Sequence, residues 1–423
     1  MKRAIAAGVG AAALLLATGW SFAADPGIDP AQVKGKITYY THFTSFITDG
    51  LFDKWVGDFK KLYPNADVDV QGIATYEDTM GTRLATGDYG DVLDTPASVP
   101  ADQLSDFFAP LDDLNLQADF NYGDAWVQGG KPYAFTFGVN VEGIVYNKAA
   151  FKKVGITAVP KTWSEFLADA HKLKDAGIIP VETNFSQGWP LTVYDGLAVA
   201  ISGDGDFLNK TLKDSAPFSA DKPYGKSFAV LHKLITDKLV EPDLTTNNWE
   251  DSKGWMASGK AAMWFLGNWS INQIVQEGSV KAGIPPDASN IGFFPLPYDE
   301  SGGPYSVNSG HDYGVSVAKN SQNIPTAKAW LAFLLTKTDC SQNAGFIPGY
   351  KKLAPTLPQL GEFQSYKPNI IAQTSQTPAY TNAINLINFG GGKGLQNTIN
   401  ADDYNAAIDK LNASWADAIS RTQ

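Results

Sequence analysis

The chain holds few of the side chains that catalysis or metal binding requires. Four histidines and one cysteine, Cys340, are scattered over 423 residues, so nothing offers the clustered N and S ligands of a zinc site. Asp204-Gly205-Asp206 opens like a calcium loop, but the ligand pattern breaks at Leu208 and a turn is the better reading. Gly390-Gly391-Gly392-Lys393-Gly394 lacks the Ser/Thr and the upstream glycine of a phosphate loop and also reads as a turn. There is no Gly-x-Ser-x-Gly elbow to support serine-hydrolase chemistry. The expectation is therefore no catalytic residue, no metal and no cofactor.

Aromatic residues, in contrast, are plentiful: 11 Trp, 17 Tyr and 23 Phe. Arginine occurs only as Arg3, Arg83 and Arg421. Bidentate guanidinium forks are the usual grip on carboxylates and phosphates, so an anionic ligand is a poor match. Aromatic platforms with planar polar edges suit a neutral, hydroxyl-rich ligand that has an apolar face.

Ten positions fit that requirement. Tyr40 and His42 point to one side at the C-terminal end of a first strand, where ligands of open α/β sheets collect; the competing reading packs both under the next helix. Asp94 ends another strand and could instead cap a turn. Phe137 and Asn140 lie on a long aromatic and β-branched stretch, Tyr133 to Tyr146, where the phenylalanine could equally be core. Trp189 sits among turn-forming residues with no helical stripe to explain it, and is the first choice for a stacking platform. Asn268 and Trp269 follow Gly267 at a turn, with Trp264 read as core. His311 and Asp312 stand beside Gly310, just before the apolar Val315 and Val317; the competing reading is a satisfied structural network. His171 and His232 fall within helices and read as ordinary surface or core residues.

The elements that must position these residues follow an α/β grammar. Lys36 to Phe43 reads as a strand, followed by Leu51, Phe52, Trp55, Phe59 and Leu62 at helical spacing, with Tyr63-Pro64-Asn65 ending the helix. Val68 and Val70 alternate with Asp67 and Asp69 as a second strand, and Thr75 to Leu84 reads as a second helix. Thr162-Trp163-Ser164-Glu165 is a capping box, opening a helix that stops at Gly177. Further helices are predicted around Ser227 to Leu239, Ala257 to Met263, Thr326 to Leu335 and Ala401 to Ile419. Gly138 and Gly143 suggest that the stretch from Tyr133 bends.

The first residues carry Lys2 and Arg3, an apolar run from Ala11 to Ala17, and Ser21-Phe22-Ala23, the three regions of a secretory signal with cleavage after Ala23. The run is too short to span a bilayer, and no later segment approaches the required length of roughly 20 apolar residues. With no Cys at the cleavage site, a free periplasmic protein is expected over a lipid-anchored one. Removing the signal leaves 31 Lys and Arg against 44 Asp and Glu, an acidic balance that argues against nucleic acid or anionic lipid as partners. About 400 residues suggest two lobes, held by packing since one Cys cannot form an internal disulfide.

Three segments carry a family resemblance. Gly130-Lys131-Pro132-Tyr133, Gly143-Ile144-Val145-Tyr146-Asn147-Lys148 and Pro160-Lys161-Thr162-Trp163-Ser164-Glu165-Phe166 resemble the central signature of family 1 extracellular solute-binding proteins, the maltose-binding-protein-like group serving carbohydrate ABC transporters. Ser258-Gly259-Lys260-Ala261-Ala262-Met263 with Gly267-Asn268-Trp269, and Thr326 to Leu334, are similar to its later segments and follow in the same order. The resemblance implies a two-lobed periplasmic-binding-protein fold of mainly parallel sheets flanked by helices, with residues 36–138 and 314–355 in one lobe and 139–313 and 356–421 in the other. It implies a monomer that closes on a sugar by hinge motion and delivers it to membrane permease subunits. Two alternatives stay open: a secreted glycoside hydrolase drawing a carboxylate pair from the many acidic residues, and the same fold holding a polyamine between carboxylates and aromatic faces.

Overall fold

The computed structural model describes residues 27–422; the expected signal, residues 1–23, lies outside them. The first strand, Gly35–Thr41, turns Ile37 and Tyr39 to one face and Tyr40 to the other. The helix Leu51–Leu62 buries Phe52, Trp55 and Phe59 against the first face, and the helix Tyr76–Thr86 lays Tyr76, Met80 and Leu84 over Tyr40. This is one face per helix at 3.6-residue spacing, sandwiching the sheet.

Two large sheets organise the described residues, beside a two-stranded pair of Val127–Gln128 with Lys131–Pro132. The first runs Ala66–Gly72, Gly35–Thr41, Val92–Asp94, Gly314–Val317, Ala134–Thr136. The second runs Asn369–Ala372, Ser306–His311, Gly138–Asn147, Ala261–Gly267, Ile179–Glu182, and Gly138–Asn147 also pairs with Ile291–Phe294 and Ile347–Pro348. Each sheet has its own apolar core, the first completed by the helix Ile324–Lys337 and the second by the C-terminal helix Tyr404–Thr422 through Ile408, Trp415 and Ile419. No helix among the described residues is long and apolar enough to cross a membrane.

The expectation of mainly parallel sheets needs refining. Gly35–Thr41 pairs in parallel with both its neighbours, as do Ile179–Glu182 with Ala261–Gly267 and Ser306–His311 with Asn369–Ala372. The strands that carry the chain between the sheets pair antiparallel with theirs, so both sheets are mixed. A strand that returns from the far sheet enters against the direction of the β-α-β strands, which accounts for the reversal.

Two local expectations are also corrected. The stretch Tyr133 to Tyr146 is not one bending strand: it breaks at Phe137 into Ala134–Thr136 in one sheet and Gly138–Asn147 in the other. Gly138 serves close approach, since a Cβ there would stand 2.3 Å from Phe346 Cβ. Gly143 likewise makes room for the stacked rings of Phe293 and Phe363. Nor is Ala257 to Met263 a helix. The helix Trp249–Ser258 stops at Gly259, which takes the left-handed φ of +76°, and Ala261–Gly267 is a strand buried at every position. The Thr162 cap forms, its hydroxyl accepting from Glu165 N (3.2 Å), but Glu165 reaches back to Lys161 N (2.6 Å), one residue before the cap, so the expected box closes one position early.

Candidate ligand-binding cleft

Asp94 has no exposed surface, yet it accepts from Tyr39 Oη (2.6 Å), Thr41 Oγ1 (2.9 Å), His42 N (2.8 Å) and His42 Nδ1 (2.5 Å). A buried carboxylate survives only when so supplied with donors. Its consequence is a fixed imidazole: His42 keeps 23 % of its side chain exposed and stacks on Tyr313 at 4.4 Å and against Phe43 at 3.9 Å. Burial alone lowers the affinity of His42 for its second proton, but Asp94 outweighs it and carries the imidazole above its ordinary value.

Around this ring the chain crosses between sheets. Tyr313 Oη donates to Glu77 Oε1 (2.7 Å), and Tyr313 N to Asp312 Oδ1 (2.8 Å). Asn140 Nδ2 donates to Asp312 Oδ2 (3.0 Å), tying the second sheet's long strand to the crossing. His311 packs on Trp126 (4.4 Å) and Tyr122 (5.5 Å), and burial lowers its affinity for a second proton from the ordinary value. Tyr122 Oη donates to Ser309 O (2.7 Å). Partly exposed rings and planar polar groups therefore converge at one seam.

A second cluster is aromatic throughout. Trp189, 39 % exposed, lies 4.8 Å from Trp249 and 5.8 Å from Trp269, and Trp249 lies 5.7 Å from Trp269. Trp249 packs on the core of the second sheet and Trp269 on that of the first, so their contact bridges the two cores. Trp264, fully buried behind Trp249 at 5.0 Å, is the core residue expected.

His42, Asn140, His311 and Asp312 are brought together, and Trp189 and Trp269 share the aromatic wall. Four candidates are sealed from a ligand. Tyr40 is packed under the helix Tyr76–Thr86 with the Arg83 guanidinium 4.5 Å from its ring centre. Phe137 and Asp94 are 0 % exposed, one a core ring and the other the anchor of His42. Asn268 is 0 % exposed because it bonds the two sheets' segments, accepting from Val141 N (2.7 Å) and donating to Gly345 O (2.6 Å). Turn and strand-end positions admit polar side chains for internal bonding as readily as for a ligand, which is why spacing did not separate these roles. Missed from the sequence were Tyr313, Glu77, Trp126, Tyr122 and Trp249. Tyr313 directly follows His311-Asp312, and Trp249 follows the helix cap Asn248, two signals that could have been read. His171 is half-exposed and His232 stacks on Tyr404 (3.9 Å), both apart from the seam.

Among the described residues no group of three or more His, Cys, Asp or Glu is placed to hold a metal ion. Two α/β lobes with aromatic and polar side chains gathered where the chain passes between them define a two-lobed binding protein. The chain belongs to the family of bacterial extracellular solute-binding proteins, whose profile matches residues 45–339. It is 25% identical over 297 residues, 68% of each chain, to the multiple sugar-binding protein of Streptococcus mutans. It is 23% identical over 325 residues, 74% of this chain and 72% of the other, to the melibiose/raffinose/stachyose-binding protein of Bacillus subtilis. The binding protein of an ABC transporter from Bifidobacterium animalis subsp. lactis, solved with mannobiose, superposes with a TM-score of 0.80 at 25% identity, covering 94% of this chain and 97% of that one.

Proposed function

We propose that this protein captures a neutral mono- or oligosaccharide outside the inner membrane and delivers it to the permease subunits of an ABC transporter, acting as a monomer and doing no chemistry on the sugar. The observation that carries this reading is the tryptophan wall of Trp189, Trp249 and Trp269, at the same inter-core seam as the polar edge of His42, Asn140 and Asp312. Pyranose rings offer a C–H face to an indole and hydroxyls to planar donors and acceptors. The lobes comprise residues 36–138 with 314–355 and residues 139–313 with 356–421, and a sugar touching both favours the closed arrangement by contacts that the open one lacks. Export to the periplasm relies on the leader at residues 1–23. The sugar-binding names of the relatives and the mannobiose in the similar structure support the same ligand class.

Isothermal titration with mannobiose, raffinose, stachyose, a sugar acid and spermidine, each at low and high salt, tests the proposal. A neutral sugar that binds with salt-independent affinity is expected. Binding of spermidine alone, weakening steeply with salt, would overturn the choice of ligand.

A further inference from the structure

Behind the tryptophan wall lie two glutamates with almost no exposed surface, Glu182 at 0% and Glu241 at 1%. Glu241 Oε2 accepts from Thr183 N (2.9 Å), and its Oε1 from Thr183 Oγ1 (2.7 Å), Phe185 N (3.0 Å) and Asn247 Nδ2 (3.1 Å). Glu182 Oε1 accepts from Ser252 Oγ (2.7 Å), Asn247 Nδ2 (2.8 Å) and Asn184 N (3.1 Å). One amide nitrogen thus bonds both carboxyl groups. Two acceptors of the cluster, Glu182 Oε2 and Asn184 Oδ1, find no donor, while the Trp264 indole N–H, in strand register with Glu182, finds no acceptor. Even if that donor turned to one of them, the cluster would remain one proton short.

The cluster joins the two segments that present the wall. Thr183 to Gly188 leads directly into Trp189, and Asn247 and Asn248 lead into Trp249. Ser186 Oγ donates to Asn247 O, and Asn184 Nδ2 to Ser252 Oγ (2.9 Å), so each segment is bonded to the other through or beside the glutamates. No Lys or Arg is bonded to either carboxyl group among the described residues. The buried ammonium of Lys253, one position from Ser252, is taken by Glu250 and Glu277. Asp251 pairs with Lys281, and exposed Asp243 is held by Thr245 and Thr246. From the helix Val193–Ser202, Tyr194 faces Glu241, its hydroxyl raised by burial and then by that charge.

We propose that Glu182 carries a proton beside the Glu241 carboxylate and that the two act as positioning residues: with the proton the pair clamps the segments carrying Trp189 and Trp249, and without it the wall loosens and the ligand is held less tightly. This rests on reading the wall as the ligand platform. Burial first, then the neighbouring Glu241 charge, pushes the Glu182 carboxyl up to about 8. If only the protonated form is competent, the competent fraction falls as pH rises through the Glu182 titration, and the apparent dissociation constant rises with it.

The test is a pH titration of tryptophan emission from pH 6 to pH 9.5 on the ligand-free protein, with Glu182→Gln, Glu241→Gln and Glu142→Gln alongside. The wild type should show a reversible one-proton transition near pH 8, lost in Glu182→Gln, moved to lower pH in Glu241→Gln because the repelling charge is gone, and kept in Glu142→Gln, a buried acid elsewhere. A flat wild-type curve, a transition abolished by Glu142→Gln and not by Glu182→Gln, or an unmoved midpoint in Glu241→Gln overturns the proposal. The emission signal needs no sugar: if no neutral sugar binds at any pH, the ligand assignment falls while the transition still decides the proton on Glu182.

Discussion

Replacing Asp94 by asparagine should damage the first lobe more than any change at the exposed wall. Asp94 Oδ2 accepts three donors, from Thr41 Oγ1, His42 N and His42 Nδ1, and Oδ1 accepts the Tyr39 hydroxyl. The amide can keep its carbonyl oxygen toward the three donors and turn its nitrogen to Tyr39, whose oxygen then accepts. Each of the four bonds loses its charge assistance, falling from about 1.5–3 kcal/mol to about 1 kcal/mol, so across the group the loss is about 2–8 kcal/mol. A second readout is independent of stability. Because Asp94 is what lifts His42 against its own burial, Asp94→Asn should bring the imidazole down. In the wild type that raised proton affinity contributes stability below the ordinary histidine range and loses it as pH rises through the folded value, and the variant should lack this pH dependence. Urea unfolding at pH 6 and pH 8, with NMR titration of His42, measures both. A loss under about 1 kcal/mol together with an unmoved His42 titration would refute the role assigned to Asp94.

Trp189→Ala, which removes the ring contacts to Trp249 and Trp269 at a residue 39 % exposed, should cost about 1–3 kcal/mol in unfolding and weaken sugar binding by about 1–2 kcal/mol, roughly 5- to 30-fold, in isothermal titration. Asn268→Ala strands Val141 N and Gly345 O, both bonded to it in the interior, and should cost about 2–4 kcal/mol in urea unfolding; a loss under half that would contradict the staple. Burial holds Glu142 up to about 8 and Asp195 up to about 7, so the folded chain binds more protons than the unfolded one above the ordinary carboxylate range. Stability should therefore fall as pH rises from 5 to 9, with Glu142→Gln flattening the slope, and a melting temperature higher at pH 9 than at pH 6 would contradict this. His311, lowered by burial, acts only in acid, costing stability as pH falls below its ordinary range.

Periodicity read well where one face of an element is buried. The helix Leu51–Leu62 with Phe52, Trp55 and Phe59, and the C-terminal helix with Ile408, Trp415 and Ile419, carry their stripes openly in the sequence. It failed at Ala261–Gly267, which is buried on both faces and so has no alternation, and at Phe137, where a continuous aromatic run hides a change of sheet. At the cleft, the half-exposed Trp189 was legible because a tryptophan in a turn has no core stripe to join. Asp94 and Asn268 were not separable from ligand contacts, since their partners lie far along the chain: Asp94 is completed by Tyr39 and Thr41, and Asn268 by Val141 and Gly345. Glu182 and Glu241 gave no signal, because an isolated glutamate in sequence reads as surface.

The central claim, a neutral sugar held against the tryptophan wall, is tested most directly by a thermal-shift screen of the protein lacking residues 1–23 against neutral sugars, sugar acids, polyamines and amino acids. A ligand that binds only the folded state adds about 2.7 kcal/mol at a hundredfold excess over its dissociation constant. A shift confined to neutral sugars and lost in Trp189→Ala is expected. A shift with polyamines or acids alone, or one that survives Trp189→Ala undiminished, would contradict the claim.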